Sequence, residues 1–124
     1  MEALGRHILV DFHDCSPALL DDAQYLASAM DRAARAAGAR VLNSTFHRFS
    51  PCGVTGVLAI QESHLAIHTW PERSFAAVDL FTCGEQVDPW QACQLLKEAL
   101  GARRGLAVEL WRGQVVLKAQ EREI

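Results

Sequence analysis

The sequence predicts an α+β fold, a two-layer sandwich in which two helices pack on one face of an antiparallel sheet. The chain has 124 residues, a length that suits a single domain with one core. Two long stretches place apolar residues at helical spacing, and several strand-like stretches between them follow one another too closely for helical crossovers. Closely linked strands pair antiparallel, which favours both helices on the same sheet face.

The first part of the chain predicts one strand and one long helix. Residues 6–12 are rich in branched side chains, as strands are. A helix is predicted over 17–37, with Ser16 as its cap, Pro17 at its first position and Gly38 at its end. Its buried stripe consists of Leu19, Leu20, Ala23, Leu26, Ala27, Met30 and Ala34.

The middle of the chain predicts three or four short strands separated by turn residues. Gly53 and Pro71 fall at or near the boundaries, as expected of residues that interrupt strands. The predicted strands cover residues 39–48, 54–61, 64–70 and 74–82.

The last part of the chain predicts a second helix and a final strand. Asp88 caps the helix over 89–100, whose apolar positions keep helical spacing. Residues 105–111 alternate as a strand, which 115–118 extends as a hairpin. The charged tail over 120–124 is predicted to be a frayed end.

Charge and cysteine usage restrict the class of protein. There are 12 basic and 15 acidic residues, for a formal charge of −3, and no basic stripe is interleaved with aromatic residues, so nucleic-acid binding is not expected. The apolar runs are too short to cross a membrane, and residues 1–10 lack the features of a secretory signal. We therefore expect a cytoplasmic protein with four free thiols, at Cys15, Cys52, Cys83 and Cys93.

One short segment carries most of the chemically reactive groups. It reads Glu62-Ser63-His64-Leu65-Ala66-Ile67-His68-Thr69-Trp70-Pro71-Glu72, and Cys83 follows eleven residues after its end. His64 and His68 would form a metal-binding pair on a helix. The β-branched and aromatic flanks predict a strand instead, and no acidic third ligand has a suitable spacing, so we predict no metal site.

This segment resembles the self-cleavage segment of prokaryotic S-adenosylmethionine decarboxylases, which cut their own backbone before a serine and convert that serine to a pyruvoyl cofactor. The likeness extends over roughly residues 4–111. It includes four further segments: Gly5–His7, Ser44–Phe49, Gly53–Val57 and Asp79–Glu85.

The resemblance implies that the chain cuts itself between Glu62 and Ser63. A serine hydroxyl can attack the carbonyl group of the preceding residue when a strained turn holds the backbone, and the resulting ester can lose its carboxylate end. Cleavage would divide the single domain into residues 1–62 and 63–124, the second beginning with a pyruvoyl group. This cofactor would bind the substrate amine as a Schiff base and accept electrons from the leaving carboxylate.

The resemblance also implies a homodimer with shared active sites. His68 would be the proton acceptor in processing, and Thr55 stands where close relatives often carry a serine that assists it. Ser63 and His68 are five residues apart, so on one flat strand they point to opposite faces. In the family, the serine and histidine that act together belong to different protomers.

The resemblance also implies which residues act in turnover and in substrate binding. Cys83 matches the catalytic cysteine, which donates a proton to the former α-carbon. Glu72 matches the carboxylate that holds the ribose hydroxyls, and Phe49 matches the ring that stacks on adenine. Trp70 is retained beside them, whereas His13 replaces a second aromatic residue that the family commonly has.

The expected activity is decarboxylation of S-adenosylmethionine, which supplies the aminopropyl donor for spermidine synthesis. Two alternatives remain open. His13 leaves room for the same chemistry on a basic amino acid, arginine or ornithine. The chain could also be an unprocessed, non-catalytic relative that regulates an active copy, although Ser63, His68 and Cys83 are all present.

Overall fold

The computed structural model describes residues 3–124 as one seven-stranded sheet with three α-helices. The elements are β1 Gly5–His13, α1 Pro17–Leu20, α2 Ala23–Ala36, β2 Val41–Arg48, β3 Val54–Ile60, β4 Ser63–Trp70, β5 Phe75–Thr82, α3 Pro89–Leu100, β6 Arg104–Arg112 and β7 Lys118–Glu123. The strand order is β2-β3-β4-β5-β1-β6-β7, and every neighbouring pair is antiparallel. The predicted α+β fold is confirmed.

The core lies between the helices and one face of the sheet. Alternate strand residues are buried on that face, such as Val78 and Leu80 of β5. The helices cover them with apolar side chains, namely Leu20, Leu26, Met30, Cys93, Leu96 and Leu100. In the described part of the chain, the longest helix is α2 with 14 residues, and no helix has the length and apolar character of a membrane span.

The prediction of one helix over 17–37 is wrong, because the helix breaks at Asp21 and Asp22. The Asp22 side chain accepts a hydrogen bond from the Tyr25 amide at 2.9 Å and thereby caps α2. The Asp21 side chain accepts a hydrogen bond from the Gly53 amide at 2.9 Å. Short acidic side chains compete with the helical hydrogen bonds of the backbone, and here both find better partners outside a continuous helix.

The prediction of a frayed tail over 120–124 is also wrong. Residues Lys118–Glu123 form β7, which pairs with β6 at the edge of the sheet, whereas the predicted extension over 115–118 is mostly an exposed loop. Gly105 and Ile124 exchange backbone hydrogen bonds of 3.1 and 2.8 Å beyond the strand end. Charged side chains suit an edge strand because they oppose pairing with other chains.

The second face of the sheet carries no helix. In the middle of that face lie apolar side chains, and Leu9, Val57 and Leu106 are 42%, 41% and 40% exposed. His68 and Trp70 of β4 lie on the same face. We call it the open face.

Candidate active site

The bond between Glu62 and Ser63 lies at the end of a tight hairpin. Ile60 of β3 pairs with Ser63 of β4, so Gln61 and Glu62 alone form the turn. Glu62 has a φ of 62°, in the left-handed region that side chains with a Cβ atom rarely adopt. Such a conformation costs roughly 1–2 kcal/mol. Backbone strain is therefore located at the residue whose carbonyl group precedes Ser63.

The Ser63 hydroxyl is buried on the helix-covered face. Leu65 and Ile67 on the same strand belong to the core, and alternation places Ser63 on their side. Its Oγ has no hydrogen-bond partner within residues 3–124. Buried hydroxyl groups are normally paired, so an unpaired one adjacent to a strained turn needs an explanation.

His68 lies on the open face at the far end of β4. Its Nδ1 is 3.1 Å from Oγ1 of Thr55, its partner across the β3–β4 ladder. At roughly 3.3 Å per strand residue, the five-residue separation of His68 from Ser63 corresponds to about 17 Å. Within one chain, the serine and the histidine neither share a face nor come into contact.

Cys83 lies close to the turn. Immediately after β5, it lines a cleft of about 270 Å³ together with Glu62 and Arg40. The other lining residues are Gly38, Ala39, Gln61, Gly84, Glu85, Gln86 and Val87. The structure thus brings Cys83 and the residue before Ser63 to the same end of the sheet.

The other cysteines differ from Cys83 in their surroundings. Burial raises the pKa of the Cys15 thiol to about 11 and that of the Cys93 thiol to about 12. The pKa of Cys52 is also raised, by desolvation and by the nearby Glu72 carboxylate, whose Oε2 is 3.7 Å from its Sγ. A raised pKa keeps a thiol protonated and unreactive at neutral pH.

The residues predicted to bind substrate lie at the His68 end of the sheet. The Trp70 ring centroid is 5.4 Å from that of Phe75, which is 5.2 Å from that of His13. Phe49 is 47% exposed and packs edge-on against His47. Phe75 was not predicted from the sequence. It lies directly opposite Trp70 in the β4–β5 ladder and belongs to the same row of rings.

A second set of contacts, which sequence reasoning missed, lies beside Glu72 and holds the loop that carries Phe49. Glu72 lies in a 3-10 turn over Pro71–Arg73 and lines an open cavity of about 770 Å³ with Arg48 and Asp21. Nη2 of Arg48 donates to Oδ2 of Asp21 at 2.6 Å. This hydrogen bond lowers the pKa of Asp21, and with the Gly53 amide it fastens the loop that carries Phe49 to the helix break.

His64 joins a cluster on the open face rather than a pair with His68. Oδ2 of Asp79 is 3.0 Å from Nε2 of both His7 and His64. Partial burial raises the pKa of Asp79, but the hydrogen bonds from the two histidines outweigh it, and the net pKa is lowered. Sequence reasoning placed His7 and Asp79 in family-like segments without giving either a role.

Within residues 3–124, this cluster has the geometry that could hold a metal ion, since its three possible ligand atoms lie within 4.8 Å of one another. However, Nη1 of Arg112 is 3.5 Å from Nδ1 of His7. A guanidinium only donates, so it favours the His7 tautomer whose proton is on Nε2, directed at Asp79. The arrangement therefore favours a hydrogen-bonded cluster over a metal centre.

The sequence matches known proteins over most of its length. Residues 6–113 match the profile of the S-adenosylmethionine decarboxylase family. A protein of Thermotoga petrophila is 54% identical over 114 residues, which cover 92% of this chain and 88% of that protein. One of Moorella thermoacetica is 51% identical over 115 residues, covering 93% and 92%. Both are named S-adenosylmethionine decarboxylase proenzyme.

Solved structures show the same fold. The crystal structure of the adenosylmethionine decarboxylase from Aquifex aeolicus superimposes with a TM-score of 0.86 at 30% identity, covering 94% of this chain and 96% of that one. The Trypanosoma brucei AdoMetDC-delta26 monomer has a TM-score of 0.65 at 11% identity, and 45% of its length is covered, so this likeness concerns the fold alone. From the family match and the identity to its bacterial relatives, we conclude that this chain belongs to the S-adenosylmethionine decarboxylase family.

Proposed function

We propose that this chain is a proenzyme that cleaves itself between Glu62 and Ser63 and then decarboxylates S-adenosylmethionine. The observation that carries the proposal is the combination of a left-handed Glu62, with a φ of 62°, and a buried Ser63 hydroxyl without a partner. Conversion of the Glu62–Ser63 peptide to an ester would relieve the strain at Glu62 and would engage the unpaired Ser63 hydroxyl in a bond. The word proenzyme in the names of the relatives supports this reading.

The cleavage needs water but no other reactant. Oγ of Ser63 bonds to the carbonyl carbon of Glu62, the bond from that carbon to the Ser63 nitrogen breaks, and the hydroxyl proton passes to the nitrogen. A base then removes the α-proton of residue 63, and the Glu62 carboxylate leaves with the ester oxygen. Water finally replaces the amino group, which departs as ammonia and leaves a pyruvoyl group at residue 63.

The residues around Ser63 fit such a group. Position 63 begins β4, where ladders to β3 and β5 would hold the new chain end beside Cys83 and its cleft. A pyruvoyl group there would supply an electron sink for the carboxylate lost from an α-amino acid. Cys83 would then deliver a proton to the α-carbon, a task that a thiol can perform.

We further propose that the working unit is a homodimer. Ser63 and Cys83 lie at one end of the sheet, whereas Thr55 and His68 lie about 17 Å away at the other, by strand geometry. A second copy packed on the open face about a two-fold axis would cover its apolar centre and bring His68 of one chain to the end of the sheet that carries Glu62 and Ser63 of the other. Each site would then contain the proton acceptor that a single chain cannot bring to its own Ser63.

The substrate end suits a nucleoside attached to a cation. Phe49, Trp70 and Phe75 offer ring faces to adenine and to the positive sulfonium, with which the π electrons interact favourably. The Glu72 carboxylate can accept hydrogen bonds from both ribose hydroxyls. His13 packs against Phe75 with its ring plane tilted by 44°, so it extends the same row of rings. The names of the relatives favour neither the basic amino-acid substrate nor the non-catalytic alternative.

The experiment that tests the activity compares carbon dioxide release from carboxyl-labelled S-adenosylmethionine, arginine and ornithine. We expect release from S-adenosylmethionine only, and loss of that release after reduction of the protein with borohydride, which attacks the pyruvoyl carbonyl. Release from arginine or ornithine alone would contradict the proposed substrate. A purified chain that stays intact and inactive towards all three would contradict the proposed enzyme.

A further inference from the structure

Thr82 is a second buried hydroxyl group that has no partner. It is the last residue of β5, its exposure is 2%, and its Oγ1 makes no hydrogen bond to the described part of the chain. Of the buried side-chain nitrogen and oxygen atoms within residues 3–124, only this one and Oγ of Ser63 lack a partner. Two such atoms in one small domain call for a common explanation.

The two hydroxyl groups are neighbours in the sheet. His64 of β4 pairs with Phe81 of β5, and continuing the register by one residue places Ser63 directly beside Thr82. Both side chains point to the helix-covered face. Cβ atoms of directly opposite residues are roughly 4.5–5.5 Å apart, so a rotation about one Cα–Cβ bond brings the hydroxyl groups within hydrogen-bond distance.

Packing alone does not account for a threonine at this position. Thr69 is also buried on this face, but its Oγ1 donates to the Leu20 carbonyl at 2.7 Å and accepts from the Val54 amide at 2.9 Å. The Thr69 hydroxyl therefore holds β4 to α1 and β3. Thr82 has no such bonds, and valine would have the same shape without the cost of burying an unpaired hydroxyl group.

We propose that Thr82 is a positioning residue for the self-cleavage, an inference that rests on the function proposed above. Its Oγ1 accepts the hydrogen bond of the Ser63 hydroxyl and turns a lone pair of Ser63 Oγ towards the Glu62 carbonyl carbon. The bond changes are those given above: as the bond to the Ser63 nitrogen breaks, the Ser63 hydroxyl proton leaves its hydrogen bond to Thr82 and passes to that nitrogen. Thr82 itself is unchanged at the end.

The test follows cleavage over time after a short pulse of cell-free synthesis, with the two pieces separated on a denaturing gel. We expect Thr82→Val to lower the cleavage rate at least tenfold and Thr82→Ser to restore it to near the wild-type value. Thr69→Val, the matched control, should split at the wild-type rate for as long as it is folded.

A stability measurement distinguishes this role from a structural one. In a Ser63→Ala background, where every chain is intact, Thr82→Val should raise the melting temperature and Thr69→Val should lower it. Cleavage of Thr82→Val at the wild-type rate would overturn the inference while leaving the proposed function in place. Equally slow cleavage of Thr82→Ser would also overturn it, because packing would then be responsible. A wild-type chain that never splits would overturn both proposals.

Discussion

Oγ1 of Thr55 lies 3.1 Å from Nδ1 of His68, on the sheet face opposite to the one that buries the Ser63 side chain. The contact orients Nδ1 of the His68 ring towards Thr55 and leaves Nε2 directed away from Thr55. Because the strand keeps Ser63 and His68 apart, the proposed joint action of the two in cleavage would need a second copy of the chain.

Complementation between two inactive variants tests that requirement. Co-expression of His68→Ala with Ser63→Ala should restore partial cleavage, because a mixed dimer contains one site with both residues intact. Only the His68→Ala chain should split, which intact-mass spectrometry detects directly. Each variant expressed alone should remain largely uncleaved, because Ser63→Ala lacks the nucleophile and His68→Ala should cleave about 10²- to 10⁴-fold more slowly without its proton acceptor. An uncleaved mixture would argue for sites built within one chain.

Glycine at position 62 should stabilise the proenzyme and slow its cleavage. Glycine adopts a φ of 62° without steric cost, so Glu62→Gly should raise the free energy of unfolding by about 1 kcal/mol in a Ser63→Ala background. With Ser63 present, the relieved turn should split more slowly. Glu62→Gln is the matched control, since it removes the charge but keeps the Cβ atom. If the glutamine variant slows cleavage as much as the glycine variant, the carboxylate rather than the strain is responsible.

Replacement of Cys83 should separate processing from turnover. In the proposed cleavage Ser63 supplies the nucleophile, so Cys83→Ala should still yield cleaved chains, but with turnover lowered about 10²- to 10⁴-fold for want of a proton donor. Protonation at the wrong carbon would pass the substrate amine to the pyruvoyl group, and mass spectrometry would detect the added amine. Cys93→Ala, in a helix, should lose only about 1 kcal/mol of stability. Full turnover by cleaved Cys83→Ala would leave the adjacent His64 or a water molecule as the donor.

The cluster of His7, Asp79 and His64 predicts a dependence of stability on acid pH. The pKa of Asp79 is lower in the folded chain than its ordinary value of about 3.9, so its ionised form stabilises the fold. That contribution is complete above about pH 5 and disappears as the pH falls through the folded pKa. In a Ser63→Ala background, Asp79→Asn should therefore lower the free energy of unfolding by about 1 kcal/mol at pH 7, and by progressively less below pH 4.

Urea unfolding at several pH values measures this difference. Asp31→Asn is the control, because the exposed pair of Asp31 with Arg35 on α2 should contribute less than about 0.5 kcal/mol. A difference for Asp79→Asn that stays constant from pH 7 to pH 3 would contradict the role of its charge.

Local sequence was enough to predict most of the elements. Predicted strands over 54–61, 64–70 and 74–82 differ by one residue at single ends from β3, β4 and β5, and the helix over 89–100 agrees with α3. Alternation along a strand, proline at the first helical position and a capping aspartate act within a few residues. The same local order places a serine after Glu62, which is why the family could be recognised and a cleavage site predicted from the sequence.

Contacts between distant segments settled what local pattern could not. The helix breaks at Asp21 because Gly53, 32 residues away, and Arg48, 27 residues away, bind its side chain. Residues Lys118–Glu123 form a strand because they pair with β6, although their charged composition is typical of frayed ends. The left-handed Glu62 and the unpaired Thr82 likewise exist only once β3, β4 and β5 have paired. A hydrogen bond or a strained angle depends on two segments meeting, and no pattern within one segment specifies its partner.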